Sequence, residues 1–514
     1  MNRLQNLRLR LREAATDGVN RTAFLSSLAF GLLSYLYLMV GNLNNHDNIS
    51  QTPAGYGFGI TCGRWLVTGL GTLINKLWGN YNIPFFNTLI AILLLCLTSV
   101  LLVKIFGVRS KSLAFLISTI TVVFPTIADT LLFSFISHYY VLGIFLLALG
   151  VLLAIQKKWG WWIVAAGSIA CALGLYQGFF PYVAALMILC LIRQCLQKEV
   201  SAKQTVFFAL RLLGILIAGY LLYILLRNLF LAINHEVVSD YYDANLIAGS
   251  VFSQFSAIVK SIYYNFYLLP THGYVSITST VTIRIVIALL FLLTALVLVF
   301  QWRERRIGKI LELLLGLVLL PVAANISAVM TTAGGLYTLM CFGLLSVFYL
   351  PIIVVGEIGF TKESFRRAAV AALCVLVTTA SVNYSWQSNG NYRKLYYTNR
   401  QMENYFVVMF TRIQSLEGYR DDMEVLFVGG EIQDESFSSP WEDTPFTYSA
   451  GHDATAGINM YSRGAYIQNY LGYSCRDATE EETARYAADT ADMAAYPDDG
   501  SLKIVGDAVL VRLS

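Results

Sequence analysis

The sequence predicts an all-α polytopic membrane protein of eleven transmembrane helices, followed by a small α/β domain. Three observations carry that expectation. Of 514 residues, 56% are hydrophobic and only 13% charged, with a mean hydropathy of +0.59, whereas a soluble domain carries roughly a quarter charged residues. The apolar residues gather into runs near the ~20 helical residues that a bilayer core of about 30 Å requires. The charge is also divided: residues 385–514 hold 10 of the 36 Lys and Arg but 20 of the 32 Asp and Glu, so a basic, apolar front precedes an acidic, polar tail. The 30 Phe and 31 Tyr exclude a disordered chain. No cluster of Lys and Arg interleaved with aromatics points to nucleic acid.

Polar breaks delimit the spans, which run from Thr22 to Leu43, Asn82 to Phe106, Ser112 to Ala128, Ser137 to Ile155, Gly160 to Tyr176 and Phe179 to Arg193. The remainder run from Thr205 to Leu231, Thr282 to Gln301, Ile307 to Asn325, Leu336 to Val355 and Ala368 to Tyr384. The first is too long for a signal-peptide core and lacks a small-residue cleavage site, so it is expected to remain as an anchor. The membrane domain is thus 1–384 and the outer domain 385–514.

The positive-inside rule tests this assignment, because one missed span inverts every later loop. With a cytoplasmic N-terminus, inside segments collect 20 Lys and Arg, while the outer loops before the tail hold Arg64, Lys76, Lys260 and Arg284. Arg211 and Arg227 stand within the seventh span. Eleven spans then place the acidic tail outside, beyond the cytoplasmic membrane.

Polarity concentrates on the outer side. The first outer loop, Asn42 to Tyr81, opens with Asn44-Asn45-His46-Asp47-Asn48, and such a cluster at the end of a span belongs beside water or a site. Leu66, Leu70, Leu73 and Leu77 follow at helical spacing, which predicts an amphipathic helix in the interface. The large outer loop, Ala232 to Val281, holds Asp240 and His272, and shorter segments add Asp129, His138, Tyr176 and Gln177. A cavity where these meet, open to both lipid and outer water, is the shape that handles a lipid-linked substrate.

In the tail, Met402, Phe406, Met409, Phe410 and Ile413 form one apolar face of a helix from Tyr392 to Leu416. Val425 to Val428 reads as a buried strand, Ala478 to Ala488 as a helix, and Leu502 to Leu513 as a hairpin turning at Gly506-Asp507. Glu431 to Gly457 supplies a long loop.

On Asn45-His46-Asp47-Asn48 after the first span, Gly63-Arg64-Trp65, and Tyr176-Gln177 at the outer end of the fifth, the chain resembles the membrane glucosyltransferases that decorate bacterial O-antigens, within the GT-C class. With the many-span body and the outer α/β unit, the resemblance covers most of the chain. It implies transfer of a hexose, glucose in particular, from a polyprenyl-phosphate-sugar to a glycan hydroxyl on the outer face, with inversion. Asp47 is then the base for the acceptor hydroxyl. Where the family pattern carries two adjacent acids, this sequence has Asp47 followed by Asn48, which leaves open whether Asp129 or Asp240 completes the site. Arg64, Arg227 and Arg284 are the arginines available to the donor phosphate. Asn45, His46, Asp129, His138, Tyr176, Gln177, Asp240 and His272 are candidate substrate contacts. A phosphate leaves well without protonation, so the chemistry asks for neither metal nor cofactor.

Other readings stand beside this one. A transporter or flippase of lipid-linked oligosaccharide also spans the membrane many times, but Arg211 and Arg227 alone make a poor midplane for ion-coupled transport. His138 and His272 have no compact metal-site spacing with Asp47. Cys62 and Cys475, the two cysteines assigned to the outside, are a possible disulfide pair, and the other six sit in apolar runs as core residues. Oligomeric state is not written in these residues.

Overall fold

The computed structural model describes residues 16–50, 59–79, 83–239, 259, 263, 266, 277, 280–304, 306–327, 338–432 and 460–513. The helices of the body are α1 (Gly18–Gly41), the short α2 (His46–Ser50), α3 (Trp65–Trp78), α4 (Pro84–Ile105), α5 (Lys111–Val123), α6 (Pro125–Leu132) and α7 (Ser137–Ala154). They continue as α8 (Trp159–Leu175), α9 (Phe180–Leu196), α10 (Ala202–Ile233), α11 (Val281–Gln301), α12 (Ile307–Ala324), α13 (Ser346–Glu357) and α14 (Glu363–Gln414). Among the described residues nine helical segments are long and apolar enough to cross a membrane, and the shorter Trp159–Leu175 and Phe342–Glu357 occupy the fifth and tenth predicted spans.

Burial sorts the helices. In the α5–α6 segment 94% of the most apolar window is buried, against 22% in α10, so the first forms the centre and the second the rim of the bundle. Rim residues such as Leu213, Leu221 and Leu225 are exposed and apolar, as lipid contact requires. Between central helices, small and hydroxylic residues permit close approach: Ser27 Oγ donates to Ser99 Oγ at 2.7 Å, Tyr35 Oη to the Val122 carbonyl at 2.7 Å, and Ser34 Oγ to Ser385 Oγ at 2.8 Å. The third span breaks at Phe124, ahead of Pro125, and resumes as α6.

Two helices expected at Ala368 to Tyr384 and Tyr392 to Leu416 are one helix, α14, of 52 residues. At 1.5 Å per residue it is about 78 Å long, more than twice the bilayer core. The polar stretch between them does not break it because its side chains are satisfied along the helix. Ser385 and Ser388 donate to the carbonyls of Ser381 and Tyr384, Asn389 to those of Ser385 and Leu33, and Tyr392 to Ala128 of α6.

The upper part of α14 supplies Met402, Phe406, Met409, Phe410 and Ile413 to the core of the C-terminal domain, as their spacing predicted. That domain adds β1 (Glu424–Val428), α15 (Met460–Tyr466), β2 (Cys475–Asp477), α16 (Glu480–Arg485), α17 (Ala487–Thr490), β3 (Leu502–Val505) and β4 (Ala508–Arg512). Its sheet order is β2-β1-β4-β3, with β1 parallel to both neighbours and β3–β4 an antiparallel hairpin turning at Gly506. The predicted strand and hairpin are present. The predicted helix at Ala478 to Ala488 is interrupted at Tyr486, and β2 and α15 were not foreseen. Most of the predicted long loop lies outside the described residues.

Candidate active site

The carboxylate candidate stands on α2. Asn45, fully buried, caps this helix by accepting from the Asn48 backbone N–H at 2.9 Å. Asn48 then anchors it to the body: its amide donates to the Leu132 carbonyl at 2.6 Å and accepts from Phe135 N–H at 3.4 Å. The position after Asp47 is therefore occupied by a buried amide whose donor and acceptor are both used. On its other side α2 faces the C-terminal domain, where Ile49 enters the core and Asn44 Nδ2 donates to Tyr470 Oη at 2.5 Å. Asp47 itself is partly exposed, and its Oδ1 lies 3.2 Å from Tyr461 Oη and 3.7 Å from His46 Nε2.

The guanidinium candidate is built by interlocking motifs. Gly63 adopts φ +76°, a conformation glycine tolerates. Arg64 follows, its Cζ 5.7 Å from the Tyr140 ring centroid and 5.3 Å from that of Tyr176. Those two rings are stacked at 4.5 Å. Trp65 is buried against Gly174, where an added Cβ would fall 2.4 Å from the indole, and its ring meets Phe230 at 5.1 Å. Gln177 closes the arrangement, donating to the Cys62 carbonyl and to Tyr223 Oη, each at 2.7 Å.

Tyr140 joins the two halves. Coulomb interactions reach it from both Arg64 and Asp47, and reach Tyr176 from Arg64 and the fully buried Asp129 of α6. The structure therefore brings Asn45, His46, Asp47, Arg64, Asp129 and Tyr176 to one end of the bundle. Arg227 is nearby, its Cδ 3.3 Å from where a Gly63 Cβ would stand, and its guanidinium donates to Asn228 Oδ1 at 3.0 and 3.1 Å. Among the described residues Arg227 makes no ion pair. Arg284 stands in the first turn of α11, a helix that packs on α13 and α14. The His138 ring lies against that of its neighbour Tyr139, tilted by 40° with centroids 4.0 Å apart. Asp240 and His272 lie outside the described residues.

One expectation changes. Cys62 and Cys475 are both free: Cys62 Sγ lies 3.6 Å from Ser239 Oγ, while Cys475 is on β2, where burial pushes its thiol up to about 12. Gln177, a candidate substrate contact, commits its Nε2 to Cys62 and Tyr223. Sequence reasoning missed Tyr140, Tyr223, Tyr461 and Tyr470. Tyr140 adjoins the noted His138-Tyr139 pair, but only helix packing places it beneath Arg64. The expected interfacial helix is present as α3, with Leu73 and Leu77 exposed and Trp65, Val67 and Gly71 buried.

The fold and this cluster define a multi-pass membrane protein with a carboxylate and a guanidinium poised at one end of its bundle. The chain belongs to the glucosyl transferase GtrII family, whose profile matches residues 36–348. Neither a curated protein nor a solved structure matches it. It is therefore a membrane glucosyltransferase, which answers the transporter alternative. The matched segment contains Asp47, Arg64, Asp129, Tyr140, Tyr176, Gln177 and Arg227, and ends before the C-terminal domain.

Proposed function

We propose that this glucosyltransferase takes its sugar from a polyprenyl-phosphate-linked donor and delivers it, with inversion, to a cell-surface glycan hydroxyl on the outer face of the cytoplasmic membrane. The observation that carries this reading is that the Arg64 guanidinium packs on the Tyr140 ring while the Asp47 carboxylate is near enough to act on Tyr140 electrostatically. In the proposed step the acceptor oxygen bonds to the anomeric carbon and its proton passes to Asp47. The bond from that carbon to the phosphate oxygen breaks, and the lipid phosphate departs with the electron pair. Such a base contributes about 10²- to 10⁴-fold. Charge grows on the phosphate as it leaves, and a planar guanidinium holds it with paired hydrogen bonds. Arg64 and Arg227 fill that role, with Asn45, His46 and Tyr176 lining the sugar path.

The membrane part, 1–384, supplies the donor side, and 385–514 lies outside the cell membrane. Support for this orientation comes from the basic loops, which connectivity gathers at the end away from the C-terminal domain. The test is transfer from polyprenyl-phosphate-glucose in membranes carrying the wild type or Asp47→Asn at matched expression. The isosteric change is expected to abolish transfer without loss of the protein. Equal transfer by both would remove Asp47 from the mechanism and move the base to Asp129 or Asp240.

A further inference from the structure

We propose that Tyr461 is a positioning residue for Asp47, so that the C-terminal domain completes the active site. This inference rests on the reading of Asp47 as the base. Tyr461 lies beyond residue 348, where the family match ends, yet its hydroxyl donates to Asp47 Oδ1 at 3.2 Å. The His46 ring stands edge-on to it, with centroids 5.8 Å apart. The phenol is thus placed between an imidazole and the carboxylate.

The platform beneath Tyr461 is anchored. On α15 Ser462, Arg463 and Tyr466 are buried, and Arg463 Nε bonds Asp477 of β2 at 2.7 Å while its Nη1 reaches the Gly430 carbonyl at 3.2 Å. Tyr466 Oη donates to the Asn399 carbonyl of α14 at 3.1 Å. The domain also grips the chain on both sides of Asp47, at Asn44 through Tyr470 and at Ile49 of α2 through the core. One carboxylate oxygen is therefore held by the domain, and Oδ2 is left for the acceptor hydroxyl. Fixing a reacting atom in this way is a recognised source of rate, because a small misplacement reduces the population of reactive geometries.

The groups that face Asp47 are His46 on its own helix, Tyr461 from α15, and Tyr140 from α7 with Arg64 beside it. Among them only Tyr461 is altered by the test. Initial rates of transfer from polyprenyl-phosphate-glucose are measured at varied acceptor concentration for the full-length wild type, Tyr461→Phe and Tyr461→Leu in membranes, with Asp47→Asn as the control. Tyr461→Phe keeps the ring and its packing and removes the hydroxyl alone. The expected result is a fall in kcat of about tenfold with an acceptor KM changed by less than about twofold. Tyr461→Leu should lose at least as much. A wild-type kcat in Tyr461→Phe, with Asp47→Asn inactive, overturns this inference and leaves the function standing. An active Asp47→Asn overturns both.

Discussion

Gly63 lies so close to Gln177 that a Cβ added to the glycine would come within 2.5 Å of the glutamine Nε2. The same atom would fall 2.5 Å from Tyr223 Oη, at a backbone φ of +76°. The turn that carries Arg64 thus has no room for a side chain and an unfavourable backbone for one. Gly63→Ala is expected to destabilise by about 1–2 kcal/mol from the left-handed backbone alone. The bonds from Gln177 to Cys62 and Tyr223 must then open as well. A lowered unfolding temperature in detergent, with transfer reduced more than tenfold by displacement of Arg64, is the expected outcome. Wild-type stability and rate in Gly63→Ala would show that the turn has freedom this packing denies.

Arg64 is held over two stacked tyrosines, an arrangement that suits a flat guanidinium and not a compact ammonium. Arg64→Lys keeps the charge but gives up the stacking and the paired hydrogen bonds to phosphate. We expect transfer to fall by about 10²-fold with the membrane fold intact. Steady-state rates at varied donor concentration check this. A lysine variant within twofold of wild type would show that Arg64 acts as a bare charge or not at all.

Asn48, the neighbour of Asp47, has a structural task that a second carboxylate could not perform. Its amide N–H₂ donates to the Leu132 carbonyl inside the protein, and an aspartate has no such donor. Asn48→Asp would bury a carboxyl against a carbonyl oxygen and strand that carbonyl. The expected destabilisation is about 1–3 kcal/mol, with α2 loosened and transfer reduced in step. Thermal unfolding together with transfer rates separates this from a gain of catalytic function: a variant that is both stable and faster would mean the second acid belongs to the chemistry.

The membrane body was legible because hydropathy is additive along the chain and needs no partner. Gly63-Arg64-Trp65 and Tyr176-Gln177 were legible as motifs, yet their relation was not, since Trp65 against Gly174 and Gln177 against Cys62 are contacts between distant segments. The same cause hid the continuity of α14. Its polar stretch reads as a break until Leu33, Ala128 and its own carbonyls are seen to accept from Asn389, Tyr392, Ser385 and Ser388. Tyr461 gave no signal, being one of several tyrosines that follow a Gly/Ser/Asp-rich stretch. Only the fold of the C-terminal domain carries it to Asp47.

The C-terminal domain should also respond to acid in a defined direction. Arg476 on β2 donates to Glu482 at 2.6 and 2.7 Å and to Glu424 of β1 at 2.6 Å, tying α16 to the sheet. The Arg476 guanidinium, helped by the Thr479 backbone N–H, holds the Glu482 carboxyl down at about 2. A carboxyl depressed in the folded state stabilises fully above its ordinary value, near 4.5, and that contribution is lost as pH falls from there toward 2. Hydrogen exchange in the segment 475–490 of the full-length protein is therefore expected to accelerate, after correction for intrinsic rates, as pH drops through this window. Glu482→Gln should remove this group's part of the pH dependence and start from a less protected α16. If exchange in wild type and Glu482→Gln shows the same pH dependence, the Arg476–Glu482 pair does not hold α16 to the sheet, and the anchorage of that edge rests on the apolar contacts of Ala478 and Tyr486 with Leu426 and Leu510.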